Sequence, residues 1–450
     1  MTGTTRRILL ISNDIPPIPG APVSGGGLRV DGLAKGLESK GHTVVLSVPS
    51  VKLEGLSSRA SDSFRETAFQ PDRISRVLHR VDPDIVIVEQ WALANFLDDV
   101  EVPLVIDLHG SLIMENHFRR HRSFQQNATA KIKALSKADL VTCAGEVQRR
   151  YFMSWLILSG FQPADLAIES VPVLLGPSPG PQREPTRNRT WLYGGTAWPW
   201  VNPFPALAIA AEQLRSRQGH RLKVFHGIPE NRKVLPLDPA EVPDPIREAY
   251  QELASGNITV SPLISHARFL NECRRAYVAL DVFQRNAERE LAFVTRTAEY
   301  LWAGLPVIHG DYDELGAWIR EYSAGWVVDP TDEASLRATI EEILQNPEDV
   351  ERRSLNARRL AADRLTWDHG IEPLHRFCMD PRTRVKSPPL LRKLSLEIAR
   401  LEEEHDLKME EHEHALTSQD DTIARLENEI KGRDGTIYGL NREIESLSSR

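Results

Sequence analysis

Short apolar runs recur along the first 180 residues, with segments of helical periodicity between them. The runs lie at residues 7–12, 42–48, 85–89, 104–108, 140–143 and 167–173. Strands that are apolar on both faces are typical of a parallel sheet covered by helices, and alternating strands and helices define an α/β fold. This pattern predicts a doubly wound, Rossmann-like domain over residues 1–180.

The second half of the chain repeats the alternation after a segment rich in proline and glycine at residues 176–185, which marks a domain boundary. Strands are predicted from residue 190 and at residues 222–225, 258–262, 278–283, 305–308 and 326–328. We predict a second doubly wound domain over residues 188–378. A late helical segment is predicted at residues 367–377.

The C-terminal residues 390–450 follow a basic, proline-containing linker at residues 380–389 and are polar and rich in glutamate. Apolar residues recur there at intervals of three, four or seven, which is the pattern of a coiled-coil seam. The downstream members are Leu416, Ile423, Leu426, Ile430, Ile437, Leu440, Ile444 and Leu447. We predict an extended helix that forms a homo-oligomer or recruits a partner protein. The alternative is a single solvated helix.

Charge and cysteine content narrow the class of protein. The net charge of −8 over 450 residues argues against a nucleic-acid partner. Three widely spaced cysteines form neither a metal motif nor a disulfide framework, which favours a reducing cytoplasm. No run approaches the roughly 18 apolar residues of a spanning helix. Membrane contact is therefore expected only at the periphery, on the inner face of the plasma membrane.

Two stretches mix arginines with large apolar side chains and are the candidates for such peripheral contact. Residues 117–124 read HFRRHRSF, and residues 149–161 read RRYFMSWLILSGF. Arginine side chains bind lipid phosphates, and aromatic side chains insert into the membrane–water interface. The alternative, which we favour, is that Phe152, Trp155 and Leu156 pack under the sheet while the arginines are solvated.

Glycines in the loop after the first strand predict a ligand-facing turn. Gly25, Gly26 and Gly27 permit close backbone approach, but the loop is too long for a dinucleotide fingerprint and no acidic residue ends the second strand. These features argue against NAD, and a flexible turn without a ligand is the alternative. At the end of the fourth strand, Asp107 and His109 lie where doubly wound folds bind ligands, which makes them candidate catalytic residues.

Residues 290–308, ELAFVTRTAEYLWAGLPVI, predict a helix from Thr295 that ends at Gly304 before a buried strand. Arg296 lies in the first turn, where free N–H groups and the helix dipole favour anions, so this turn is a candidate diphosphate site. Glu299 follows three residues later on the same face and is positioned to accept ribose hydroxyls. The alternative is an exposed Arg296–Glu299 pair of no functional consequence.

This stretch resembles the nucleotide-sugar site of retaining GT-B glycosyltransferases, the group around glycosyltransferase family 4. The resemblance rests on Thr295-Arg296, on Glu299-Tyr300 and on the run AGLPV at residues 303–307. It implies two Rossmann-like domains that face each other across a cleft in the GT-B architecture, with residues 367–377 returning to the first domain. It also places a diphosphate on Arg296, a ribose on Glu299 and a donor sugar beneath His109. It also implies retention of anomeric configuration without a bound metal or other cofactor.

Several further residues become donor-site candidates in this framework. Gly194 and Gly195 predict a second ligand-facing turn, and Trp198 in the following loop either stacks on a base or sugar or wedges the loop against the domain. Glu288 and Glu290 are candidates to accept donor-sugar hydroxyls. The family pattern places seven residues between its two glutamates, whereas eight separate Glu290 from Glu299 and Leu291 occupies the seven-residue position.

Asp311 and Asp313 admit a magnesium interpretation, but their place between a strand and a helix favours N-capping. The function predicted is transfer of a sugar from a nucleotide-sugar donor to a glycan or lipid-linked acceptor in cell-surface polysaccharide assembly. Two alternatives remain. One is a catalytically weak scaffold that organises an assembly complex through its coiled coil, and the other is a GT-B nucleotide-sugar epimerase.

Overall fold

A computed structural model describes residues 5–54, 64, 66–97, 100–119, 123–164, 166–180, 183–184, 189–196, 198–227, 253–386 and 389–448. The chain divides into two compact units, residues 1–387 and residues 388–450. Parts of the predicted linkers, residues 181–182, 185–188 and 387–388, lie outside the described residues.

The first six strands form one parallel sheet in the order β2-β1-β3-β4-β5-β6. They are β1 (Arg7–Ile11), β2 (Thr43–Ser47), β3 (Ile85–Glu89), β4 (Leu104–Leu108), β5 (Leu140–Cys143) and β6 (Ile168–Ser170). The helices between them are α1 (Gly25–Ser39), α2 (Ile74–Val81), α3 (Trp91–Ala94), α4 (Leu112–Phe118), α5 (Phe124–Leu135) and α6 (Glu146–Leu158). The predicted doubly wound sheet is confirmed.

A second parallel sheet has the order β12-β11-β10-β7-β8-β9. Its strands are β7 (Arg189–Thr196), β8 (His220–Gly227), β9 (Ile258–Ser261), β10 (Val278–Asp281), β11 (Val307–Gly310) and β12 (Gly325–Val328). The helices around it are α7 (Phe204–Leu214), α8 (His266–Arg275), α9 (Ala287–Leu291), α10 (Thr295–Trp302), α11 (Glu314–Tyr322), α12 (Glu333–Gln345) and α13 (Pro347–Arg364). The second doubly wound sheet is confirmed as well.

The strands of both sheets are apolar because helices cover them on both faces. In β3 and β4 every side chain is buried, including those of Glu89 and Asp107 at the strand ends. The chain then returns through α14 (Trp367–Gly370) and α15 (Glu372–Met379). Leu374 and Cys378 join the core beneath the first sheet, so the predicted return to the first half is confirmed.

The aromatic stretch at residues 149–161 belongs mainly to α6. Phe152 and Leu156 are buried in the core of the first sheet, whereas Ile157 and Leu158 are 43% and 50% exposed. The packing interpretation therefore accounts for the buried members of this stretch. Arg120, His121 and Arg122 of the other stretch lie outside the described residues. No helix within the described ranges has the length and apolar character needed to cross a bilayer.

The second unit contains α16 (Pro389–Ser448), a single helix of 60 residues. At 1.5 Å per residue it is about 90 Å long. Glycines at positions 432, 435 and 439 do not interrupt it. The predicted extended helix is confirmed, and its pairing remains a prediction.

Candidate active site

A cavity of about 640 Å³ lies between the two sheets of the first unit. Its walls come from the segments that follow β1, β3, β4 and β5 and from the end of β7, so both sheets present the carboxyl ends of their strands to it. The predicted residues in the wall are Gly25, Gly26, His109, Gly194, Gly195, Trp198, Thr295, Arg296 and Glu299. The predicted residues that the structure places outside the wall are Gly27, Asp107 and Glu290. Doubly wound folds bind ligands at these strand ends.

Arg296 lies at the cavity wall with 15% of its side chain exposed. Its Nη1 donates to Oδ1 of Asp281 at 3.0 Å, and its guanidinium lies 5.1 Å from the Tyr193 ring centroid. Burial alone lowers the pKa of Arg296, but Tyr193 and Asp281 outweigh it and raise the pKa above its ordinary value. The cavity therefore contains a permanent, rigidly held positive charge.

The first turn of α10 presents its backbone to the same cavity. Val294 precedes the helix, and no described side chain caps it there. The first N–H groups of a helix lack partners within the helix, and its N-terminus carries a partial positive charge. Because Thr295 and Arg296 both line the cavity, this turn places backbone donors and a guanidinium side by side and remains a candidate anion site.

Glu299 is 6% exposed and also lines the cavity. Its Oε1 lies 2.6 Å from Nε2 of His266, the first residue of α8. The Arg296–Glu299 pair offered as an alternative is not what forms, because Arg296 pairs with Asp281 and Glu299 with His266. The carboxylate is therefore oriented beside the anion site, one helical turn from Arg296.

Of the two glutamates before α10, the structure places Glu288 rather than Glu290 in the cavity wall. Both belong to the short helix α9. The Glu290 side chain is 50% exposed and lies 3.6 Å from Arg285, outside the cavity wall, so the cavity geometry does not support its predicted donor role. Glu288 is 3% exposed and pairs with Arg289, and burial raises its pKa to about 7.

Trp198 stacks on Trp200 with ring centroids 5.0 Å apart and an interplanar angle of 10°. The Arg119 guanidinium, which comes from the first half of the chain, lies 4.8 and 4.7 Å from the two ring centroids. Glu115 pairs with Arg119 at 3.1 Å. Trp198 lines the cavity, but its ring is packed against Trp200 and Arg119. These contacts favour the predicted role in packing its loop over the role in stacking on a base or sugar.

Gly194 and Gly195 do not form the predicted turn, because both belong to β7. A Cβ at Gly194 would come 2.2 Å from the Phe269 ring, and one at Gly195 would come 2.3 Å from Nη2 of Arg296. Side chains of the protein itself occupy that space. The two glycines therefore leave room for the side chains of Phe269 and Arg296 beside the cavity wall.

Gly25, Gly26 and Gly27 form the first turn of α1 rather than a flexible loop, and the Ser24 side chain caps this helix. A Cβ at Gly25 would come 2.9 Å from Oγ1 of Thr295, which shows that the starts of α1 and α10 lie close together. A Cβ at Gly27 would come 2.1 Å from the carbonyl oxygen of Ile15. The flexible-turn interpretation is therefore wrong.

His109 faces the cavity with 19% of its side chain exposed, between two carboxylates. Its Nε2 lies 3.4 Å from Oε1 of Glu89 and its Nδ1 lies 3.7 Å from Oδ2 of Asp107. Burial lowers the pKa of His109, but these carboxylates outweigh it and raise the pKa above its ordinary value. The imidazole therefore keeps its proton to a higher pH than an isolated histidine does.

Asp107 is fully buried behind His109 and lies outside the cavity wall, so the cavity geometry does not support its predicted catalytic role. Arg29 donates to its carboxylate through Nη2 at 2.7 Å and Nε at 3.0 Å, and Oγ1 of Thr142 donates to it at 2.6 Å. Burial raises the pKa of Asp107, but Arg29 holds it well below its usual range. Asp107 therefore contributes a fixed negative charge beside His109.

Several wall residues were not predicted from the sequence as site residues, namely Asp14, Glu89, Arg119, His266 and Arg289. For Glu89 a signal was available, because the predicted strand at residues 85–89 ends on it. The rule that selects residues at strand ends therefore applied equally to Glu89 and Asp107.

Within the described ranges, no group of three or more His, Cys, Asp or Glu side chains is arranged to hold a metal ion. Asp313 caps α11 by accepting from the Gly316 N–H at 2.9 Å, and it also pairs with His309. Asp311 pairs with Arg285. N-capping therefore accounts for Asp313, and catalysis without a metal remains a prediction.

Two facing doubly wound domains with one cavity at their strand ends constitute the GT-B architecture. No protein-family model matches the chain, and no curated protein sequence matches it either. Solved structures nevertheless share its fold.

A sucrose-phosphate synthase from Thermosynechococcus elongatus matches with a TM-score of 0.63 at 16% sequence identity, over 83% of this chain and 98% of that chain. The Anabaena protein HepE in complex with UDP-glucose matches with a TM-score of 0.59 at 11% identity, over 83% and 99% of the two chains. An E. coli trehalose-6-phosphate protein bound with UDP-2-fluoro-glucose gives 0.58 at 13% identity, over 84% and 100%. At these identities the similarity establishes the fold alone.

Proposed function

We propose that this protein is a glycosyltransferase that transfers a sugar from a nucleotide-sugar donor to a hydroxyl of an acceptor. The observation that carries the proposal is the convergence of Arg296, the first turn of α10 and Glu299 on one wall of a cavity whose opposite wall holds His109. The names of the structural neighbours, which mention UDP-glucose and a fluorinated analogue, support a donor of this class.

Each wall residue has a role that follows from its chemistry. Arg296 and the α10 N–H groups stabilise the negative charge that develops on the departing diphosphate. Glu299, oriented by His266, accepts hydroxyls of the ribose. His109, held between Glu89 and Asp107, orients the donor sugar from the opposite side.

The finer part of the proposal rests on the family resemblance of residues 290–308. It comprises retention of the anomeric configuration, a glycan or lipid-linked acceptor and a role in cell-surface polysaccharide assembly. A cytoplasmic location accords with Cys143, Cys273 and Cys378, which are buried and unpaired. Peripheral membrane contact remains a prediction.

Nucleotide binding tests the proposed function. Thermal shifts with UDP, GDP, dTDP and CMP are expected to single out one nucleotide, because a ligand at 100 times its Kd stabilises the native state by about 2.7 kcal/mol. Glu299→Gln should lose most of that shift. Glu290→Gln is the matched control, since this half-exposed glutamate lies outside the cavity wall. If none of the four nucleotides shifted the wild-type protein, the scaffold alternative would replace the enzyme.

We also propose that α16 pairs with a second copy of itself as a parallel coiled coil. Leu416, Ile423, Ile430 and Ile444 fall on one seven-residue series, and Leu426 falls three residues after Ile423. Isoleucine at the first seam position with leucine at the second favours two parallel strands. These five side chains are each roughly half exposed in the single chain, so pairing would bury them.

Light scattering after size exclusion is expected to give twice the chain mass of 50.7 kDa. Ile423→Lys combined with Ile430→Lys should return the protein to a monomer, because two charges would face the partner in the seam. Ala424→Lys combined with Asn428→Lys adds the same charges off the seam and should leave the dimer intact. A wild-type protein that is monomeric at micromolar concentration would contradict self-pairing.

A further inference from the structure

Gln90, at the cavity wall between β3 and α3, has an unusual backbone conformation. Its φ is 65° and its ψ is 143°, close to a region that is almost restricted to glycine. Within the described residues, the other non-glycine residues with positive φ are Asp82 and Ser323, and both end helices in the left-handed conformation. That explanation does not apply to Gln90, because it precedes a helix.

The neighbours of Gln90 in the chain impose this conformation. Its backbone N–H donates to the carbonyl oxygen of Asp107 at 2.8 Å, which continues the pairing of β3 with β4 by one residue. Trp91, the next residue, is buried and begins α3. The chain therefore leaves the sheet within one residue. Glycine would make this turn without strain, whereas glutamine is strained there.

The side chain of Gln90 makes no contact that would offset this strain. It does not cap α3, and its Oε1 is buried without a hydrogen-bond partner in the part of the chain that the structure describes. Rotation about the last side-chain torsion exchanges Oε1 with Nε2, so the amide can accept from a ligand or donate to it. A ligand hydroxyl, which both donates and accepts, would satisfy the amide in either orientation.

Gln90 lies across the cavity from the candidate diphosphate site at Arg296. The segment at residues 90–96, which follows β3, supplies Gln90, Leu93 and Phe96 to this opposite wall. Phe96 is 48% exposed, so the wall meets solvent at this point. A donor whose diphosphate lies at Arg296 leaves this part of the wall to the second substrate, which is the acceptor.

We propose that Gln90 and Phe96 form a subsite for a pyranoside acceptor. The Gln90 amide binds one hydroxyl of the sugar, and the Phe96 ring packs against an apolar face of the sugar ring. This inference rests on the proposed function and assigns its acceptor to one chemical class. A pyranose carries hydroxyls at its edge and C–H groups on its faces, so a polar amide and an exposed aromatic ring match the two kinds of surface.

Nucleotide release from UDP-glucose, GDP-mannose and dTDP-glucose tests the subsite in the full-length protein. Release is measured in water alone and with the methyl glycosides of glucose, galactose, mannose and rhamnose, and we expect at least one glycoside to accelerate it. For that glycoside, Gln90→Ala should raise KM about 3- to 10-fold, the effect of one lost hydrogen bond. Alanine keeps the strained backbone, so kcat and the Kd for the nucleoside diphosphate should stay within about twofold. A merely structural role would change kcat or that Kd as well.

Phe96→Ala should raise the same KM about 3- to 10-fold, which is the range that one aromatic contact contributes. Phe124→Ala is the matched control, because Phe124 is 54% exposed in the same half and lies outside the cavity wall. It should leave KM and kcat unchanged. Equal effects of the two substitutions would contradict a specific contact between Phe96 and the sugar.

Gln90→Gly tests the strain without any ligand. Glycine relieves the positive φ, so the Tm should rise by about 1–3 °C while the KM for the glycoside rises as in Gln90→Ala. Gln70→Gly is the control, because Gln70 also precedes a short helix without capping it but has an ordinary φ of −92°. Its Tm should not rise. A Gln90→Gly protein whose Tm does not rise would contradict the strain on which the assignment of Gln90 depends.

The remaining outcomes separate the two proposals. If the protein releases nucleotide in water but no glycoside accelerates the release, or if Gln90→Ala keeps the wild-type KM, the pyranoside subsite is wrong and the proposed glycosyltransferase function stands. If the wild-type protein binds no nucleotide and releases none from the three nucleotide sugars, the proposed function fails and the subsite fails with it.

Discussion

Arg296→Lys should lower kcat for the nucleotide sugar by about 10²- to 10³-fold, which is the loss typical when one preorganised donor to a developing anion is removed. Lysine keeps the positive charge, so Asp281 retains a cation nearby and the domain is expected to fold. It lacks the planar fork that lets Arg296 contact Asp281 through Nη1 while presenting other donors to the cavity. Steady-state kinetics with the donor identified by the nucleotide panel would measure the loss.

Arg285→Lys is the matched control for this prediction. Arg285 belongs to the same half, is 42% exposed and pairs with Asp311 and Glu290 outside the cavity wall. Its replacement should leave kcat unchanged. If Arg296→Lys also had wild-type kcat, the role at the leaving group would pass to Arg289, a second buried arginine of the wall.

The strands and the order of elements were predictable because burial on both faces leaves a local signature. The run at residues 104–108 is apolar except for Asp107, and the structure makes it a fully buried strand over those same residues. The start of α10 at Thr295 was equally predictable, since its periodicity and its end at Gly304 are local. These features depend on residues a few positions apart.

The partners of the site residues were not predictable in this way. Glu299 contacts His266, which lies 33 residues earlier in the chain, and Arg119 reaches the Trp198–Trp200 stack from the other sheet. Such contacts arise when segments distant in sequence meet at the strand ends of one sheet or across the cavity, and periodicity carries no information about them. The helical spacing correctly predicted that Arg296 and Glu299 lie on one face of α10. It gave no sign that Arg296 pairs with Asp281 and Glu299 with His266.

The glycines illustrate the same limit, because their contact partners could not be predicted from the sequence. The run at residues 25–27 and the pair at residues 194–195 predicted turns that approach a ligand, because glycine tolerates close contact. The close contact is real, but its partners are Asp14, Glu89, Thr295, Phe269 and Arg296. A glycine in the sequence indicates that another group lies close to the backbone, but only the fold identifies that group.

Arg29→Met should lower the free energy of unfolding of the first half by about 3–5 kcal/mol at pH 7, the usual result of leaving one member of a buried ion pair without its partner. Arg29 and Asp107 are 1% and 0% exposed, so water cannot replace the lost cation. Urea denaturation would measure the difference. Arg29→Met combined with Asp107→Asn should recover part of the loss, because the double variant leaves no buried charge unpaired.

The pH dependence of this variant has a definite sign. In the wild-type protein Arg29 holds the pKa of Asp107 below its unfolded value of about 3.8, so the pair contributes stability that is present above that pH and lost below it. Without Arg29, burial raises the pKa of Asp107 instead, and the folded variant takes up a proton that the unfolded chain does not hold. The difference between the two proteins should therefore narrow as the pH falls from 7 to 5. A difference below about 1 kcal/mol at pH 7 would mean that hydrophobic packing, rather than the ion pair, anchors α1 to the sheet.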